Sequence, residues 1–78
     1  MFYIVEHDMC VHQIIDTKGK PNKYGKAKLF DTAGDAVKWL SRHYRESSYV
    51  VGNSIFGITS NPLYEVKEAT TEELARWR

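Results

Sequence analysis

The stretch 31–45, DTAGDAVKWLSRHYR, constrains this chain more than any other. Ala33, Ala36, Val37, Leu40 and Tyr44 recur at the three-and-four spacing of a single helical face. The start is well marked. Asp31 or Thr32 offers a side-chain oxygen to the first turn, and Thr32 with Asp35 approximates a capping box, although a box prefers Glu or Gln at its last position. Asp35 lies near the positive end of the helix dipole, and Arg42, His43 and Arg45 lie near the negative end. Ser47 and Ser48 end the pattern. A helix with one apolar stripe must bury it, so the β-prone segments on either side are expected to form the surface it covers.

Those segments follow in order. Residues 2–6 are β-branched and aromatic and read as a strand. His7 and Asp8 interrupt it, and residues 10–16 form a second strand with Val11 and Ile15 on one face and Cys10, His12 and Ile14 on the other. Residues 17–26 hold Gly19, Pro21, Asn22 and Gly25, the residues that turns require. Residues 27–30 read as a short strand leading into the helix cap. Beyond the helix, Tyr49, Val50 and Val51 are β-prone, Gly52-Asn53 suits a hairpin turn, and residues 54–59 continue as a strand. Ser60-Asn61-Pro62 is a turn, since Pro62 bars a central strand, and residues 63–68 alternate with Tyr64 and Val66 inward. Thr70 with Glu73 is a full capping box and restarts a helix whose apolar positions are Leu74 and Trp77. A helix so short must dock or fray. The expected fold is therefore α+β: a mainly antiparallel sheet of four to five strands, one amphipathic helix packed on one face, and a short C-terminal helix. The expected core is Phe2 or Tyr3 with Ile4, Val5, Ile15, Leu29, Phe30, Val37, Leu40, Tyr44, Val51, Phe56, Ile58, Tyr64 and Val66.

With 78 residues the chain is expected to be one domain, residues 1–78, with a thin stability margin that a homodimer would widen. Cys10 is the one cysteine, so no intrachain disulfide can form. No apolar run approaches the ~18 residues of a membrane span, and Met1 leads straight into a β-prone segment, so a soluble cytoplasmic protein is expected. The net charge of +1 argues against a dedicated polyanion binder and against an acidic DNA mimic. The charge is nevertheless uneven: residues 17–28 carry Lys18, Lys20, Lys23, Lys26 and Lys28 and no acid.

Three groups of residues invite a chemical reading. In residues 7–12, His7, Cys10 and His12 are all able to bind a transition metal. Structural zinc sites pair such residues at two short spacings, however, and half of that pattern is missing. Cys10 and His12 share a strand face as a thiol and its base would, but no oxyanion donor or orienting third residue accompanies them. A turn and a half-buried strand explain them as well, so the expectation is no metal, no cofactor and no enzyme. In the loop 18–28, Lys18, Lys20, Lys23, Lys26 and Lys28 with Tyr24 could hold phosphate groups or an acidic protein surface. The order of a phosphate-binding loop is absent, and lysine-rich loops are commonly just solvated. Third, Lys38, Trp39, Arg42 and His43 occupy the helix flank beside the core stripe, and Trp77 could join them. Trp and Arg are enriched in binding hot spots, while packing at the edge of a small core is the plainer account of both tryptophans.

The small size, the immediate β start, the Leu29-Phe30-Asp31-Thr32 strand-to-helix junction with Ala36-Val37-Lys38-Trp39-Leu40, and the closing Leu63-Tyr64-Glu65-Val66-Lys67-Glu68 resemble small accessory proteins of bacteriophages and other mobile elements. The resemblance is one of pattern over residues 28–68. It implies a class of function, binding and inhibition of a host enzyme or defence complex, and no functional residue. The leading expectation is thus a non-enzymatic protein-interaction module, of the type of a phage inhibitor of a host protein, using Lys38, Trp39, Arg42, His43 and Trp77. The alternative is nucleic-acid or phosphate-ligand binding through the lysine loop.

Overall fold

The computed structural model describes residues 1–8, 11–44, 48–51, 54–56 and 63–77, with backbone alone for Asp8 and for 48–51 and 54–56. The elements run β1 (Phe2–Asp8), β2 (Val11–Ile15), β3 (Pro21–Asn22), α1 (Ala33–His43), β4 (Ser48–Val51), β5 (Ser54–Phe56), β6 (Leu63–Glu68) and α2 (Thr71–Trp77). The strands form one sheet in the order β3-β2-β1-β6-β4-β5. Every pairing is antiparallel except β4 with β6, which is parallel. The fold is α+β, as the sequence pattern implies, with a parallel pair that local periodicity could not disclose.

The expected strand over residues 27–30 is replaced by two isolated bridges, Asp16 with Ala27 and Phe2 with Phe30. This segment passes from the end of β2 to the start of β1, so it meets each strand once and cannot build a continuous ladder. Phe2 and Phe30 nevertheless exchange both backbone hydrogen bonds, each 2.8 Å, which fixes where α1 begins. Thr32 caps α1, its hydroxyl accepting from the Asp35 amide at 3.1 Å. A backbone N–H is a sufficient donor partner, so the cap works without the Glu or Gln of a full box.

Strand alternation sorts the core into two layers. On the α1 side lie Ile4, Ile15, Phe30, Ala36, Leu40, Tyr64 and Val66, with Phe2, Ala33, Val37, Trp39 and Tyr44 packed at their margin. Tyr3, Ala27 and Trp77 form a second cluster on the other side, with Val5, Ile14, Leu29 and Ala69 around it. The sheet is therefore covered on both faces, by α1 on one and α2 on the other. The expected core residues Val51, Phe56 and Ile58 lie outside the described side chains.

α2 docks because its capping box also reaches the sheet. Glu73 accepts from the Thr70 amide at 3.0 Å, and Thr70 Oγ1 accepts from the Glu73 amide at 3.1 Å. The second carboxylate oxygen of Glu73 accepts from the Tyr3 hydroxyl at 2.7 Å. Trp77 then lays its ring against Tyr3, centroids 4.7 Å apart and 66° between planes. Burial pushes the Tyr3 phenol above its ordinary range, and the Glu73 carboxylate pushes it further. Burial alone would raise Glu73, but the Thr70 amide and Tyr3 hydroxyl donate to its charged form and hold it below the ordinary carboxylate value. The two shifts set the sign of the pH response. A lowered carboxylate stabilises the fold above its unfolded value of about 4.3, and that contribution is lost as pH falls through its depressed folded value. A raised phenol leaves the fold intact below about 10 and withdraws stability as pH rises beyond it. Urea midpoints are expected to be flat from pH 6 to 9 and to fall at both extremes. In Tyr3→Phe the alkaline fall shrinks; an unchanged alkaline limb would rule out this origin.

Candidate functional site

Asp16 organises the lysine loop from below. Its Oδ1 accepts from the amides of Lys18 at 2.9 Å and Lys20 at 3.1 Å, and Oδ2 accepts from the Asn22 side chain at 3.2 Å. The Lys20 amide is the main reason that its carboxyl lies below the ordinary range. This tight turn lifts Gly19 into the left-handed region, φ +82°, where a glycine is at ease. Asn22 repeats the device, accepting from the Tyr24 amide at 3.0 Å.

The loop is seated on the helix. The Gly19 carbonyl accepts from the Tyr44 hydroxyl at 2.9 Å. A Cβ added at Gly19 would lie 3.0 Å from the Trp39 ring and, at φ +82°, would be strained, so a side chain there would press the indole aside. Burial raises the Tyr44 phenol pKa, and the charges of Glu6 and Asp16 add to it, which keeps that hydroxyl a donor. Tyr44 also packs on Tyr64, centroids 4.8 Å apart, and Tyr64 donates to the Glu6 carboxylate at 2.8 Å. The sheet, the helix end and the loop are thus linked through two phenols.

Trp39 is the hub of this face. It is half-buried, tilted against Phe30 at 6.0 Å and Tyr44 at 5.7 Å. His43, one turn on and exposed, stacks on it at 4.4 Å with 19° between planes. The His43 Nδ1 donates to the Trp39 carbonyl at 3.0 Å, which sets the ring orientation. The Lys28 ammonium lies 5.8 Å from the Phe30 centroid and 5.9 Å from the Trp39 centroid. A cation so placed over aromatic faces gains about 0.5–1 kcal/mol at an exposed site.

Of the residues expected from the sequence, Lys28 and His43 meet Trp39 directly, Lys18 and Lys20 flank the Gly19 that lies against it, and Arg42 and Lys38 are exposed on α1. Lys23, Tyr24 and Lys26 lie further along the loop, all exposed, and Tyr24 is 78% exposed. None of Lys18, Lys20, Lys23, Lys26, Lys28, Lys38 or Arg42 makes an ion pair with a described carboxylate. Trp77 requires a correction. It is 8% exposed and belongs to the α2-side core, across the sheet from Trp39, because Tyr3 and Ala27 give its ring a pocket. Sequence reasoning missed Asp16 and Gly19, which hold the loop to the helix. An Asp immediately before a Gly-containing turn was the available signal.

The His7 and His12 rings meet across β1 and β2, and His7 bonds to Glu65 on β6. Cys10 lies outside the described residues. Among the described residues no group of three His, Cys, Asp or Glu side chains is arranged to hold a metal ion, and no helix is long and apolar enough to cross a membrane. No protein-family description matches this chain, and neither a characterised protein nor a solved structure resembles it significantly.

Proposed function

We propose that this chain is a non-enzymatic interaction module that docks on an acidic protein surface through the joined face of the lysine loop and the flank of α1. The observation that carries the reading is the seating of Gly19 on Trp39. It sets the chain neighbours Lys18 and Lys20 next to the half-buried indole that Lys28 overlies and on which the exposed His43 stacks, with Arg42 on the same helix. Trp and Arg are enriched among hot-spot residues, and the surrounding lysines match an acidic partner in charge. Lys38 extends the positive rim. The resemblance to phage accessory proteins would make the partner a host enzyme or defence complex, and the action inhibition of it.

A second reading, nucleic-acid or phosphate binding, is favoured by one different observation. Tyr24 offers an open ring between Lys23 and Lys26, 78% exposed, whereas Trp39 is half-buried. Two probes separate the readings: fluorescent polyglutamate and fluorescent oligothymidylate, each titrated by anisotropy at several salt concentrations. Docking on an acidic protein predicts tighter binding of polyglutamate, weakened by Trp39→Ala and indifferent to Tyr24→Ala. Preference for oligothymidylate, lost in Tyr24→Ala by the ~1–3 kcal/mol of a stacked base, would replace the first reading with the second.

A further inference from the structure

His7 on β1 and His12 on β2 are directly opposite in register, with ring centroids 4.4 Å apart, edge to face. Alternation puts both on the α2 side of the sheet, one step along the strands from Val5 and Ile14. From the neighbouring strand β6, Glu65 accepts a hydrogen bond from His7 Nε2 at 2.9 Å. A proton held on Nε2 leaves the Nδ1 of the neutral ring with its lone pair. That is how a metal-binding histidine is ordinarily oriented, with a carboxylate on one ring nitrogen and the ion on the other. The three residues come from three adjacent strands, and Glu65 lies 58 positions on from His7, so no sequence spacing could add it to the two histidines.

We propose that His7 and His12 form a two-nitrogen binding site for a late first-row divalent cation, zinc above all, with Glu65 as the carboxylate that orients His7. Imidazole nitrogens suit zinc, nickel and copper, and offer little to magnesium or calcium. Directly opposed residues of an antiparallel pair have Cβ atoms only about 4.5–5.5 Å apart, which lets two imidazoles reach one ion. His12 is exposed, so its ring is free to turn from the edge-to-face contact and present a nitrogen. His7 is held, a quarter exposed and fixed by Glu65. No third protein ligand converges among the described residues. Two of the four tetrahedral positions therefore belong to water or to an incoming donor, one more than in an ordinary catalytic zinc site. This site faces away from the Trp39 surface and stands or falls independently of the docking function.

The test is calorimetric titration of zinc chloride into the full chain carrying Cys10→Ser, so that the thiol supplies no affinity. Binding of one ion per chain is expected, together with a zinc-dependent rise in thermal midpoint. Both are lost in His7→Gln and in His12→Gln. His12→Gln decides the matter, because an exposed residue can be replaced without unfolding the chain, and circular dichroism checks that it has been. Glu65→Gln should weaken binding about tenfold to a hundredfold, the usual effect of removing the carboxylate behind a ligating histidine. No heat of binding at millimolar zinc, or undiminished affinity in His12→Gln, overturns the site. Undiminished affinity in Glu65→Gln removes the role given to Glu65.

Discussion

Trp77→Ala is expected to lower the unfolding free energy by about 3–5 kcal/mol, the usual range for deleting a large buried aromatic side chain. A small domain has little to spare, since net stabilities of about 5–15 kcal/mol are normal and short chains sit at the low end. The whole second core depends on this ring. Tyr3 loses its edge-to-face partner, and Ala27, Val5, Ile14 and Leu29 lose their cover. α2 is too short to persist alone, so it frays once its anchor is gone. Glu73 then leaves Tyr3, and the phenol opens to water. The measurement is urea unfolding followed by circular dichroism, with Trp39→Ala as the comparison. Trp39 is half-buried, so its truncation should cost clearly less in stability. A Trp77→Ala protein as stable as the parent, or a larger loss in Trp39→Ala, would show that α2 is an ornament and not a second cover for the sheet.

Trp77 also marks where the sequence stopped being legible. The helix stripe, the Thr70–Glu73 box and the inward pair Tyr64 and Val66 were readable because each rests on neighbours within one or two turns, or on a two-residue period. Capping and alternation are local, and local physics survives into the fold. What covers the second face of the sheet is not local. Leu74 and Trp77 at a spacing of three imply docking somewhere, yet Tyr3, the ring that meets Trp77, lies at the other end of the chain. The same holds for the loop. Five lysines are visible in the sequence, but the seating of Gly19 on Trp39 depends on three separate things: the Asp16 turn, the Tyr44 hydroxyl and the absence of a Cβ. The strand expected at residues 27–30 failed for a related reason. Ala27, Leu29 and Phe30 have the composition of a strand, but the segment crosses the sheet's end, where two bridges satisfy it.

The joined face makes the second large prediction, because it separates two sets of lysines that the sequence treats alike. Lys20→Glu, Lys28→Glu and Arg42→Glu together should abolish binding to an acidic partner, measured with fluorescent polyglutamate. The pair Lys23→Glu and Lys26→Glu should reduce it modestly. Lys20 adjoins the Gly19 contact and Lys28 lies over Phe30 and Trp39. Arg42 stands on the exposed flank of α1, beside His43. These cations surround apolar surface from which a docked partner would exclude water, and screening is weakest there. A hot-spot residue carries about 2 kcal/mol or more, and each 1.4 kcal/mol is a factor of ten. Reversal of three such charges therefore predicts a loss of more than two decades in affinity. Lys23 and Lys26 are exposed and away from the Trp39 contact, where the screening length of about 8 Å at physiological salt leaves each a small share. Circular dichroism would confirm that the triple variant folds, since Lys28 also keeps its backbone hydrogen bond to Ile15 at 2.9 Å. Equal losses from the two sets would mean that the loop acts as a diffuse cloud of charge, and that Trp39 is only an edge of the core.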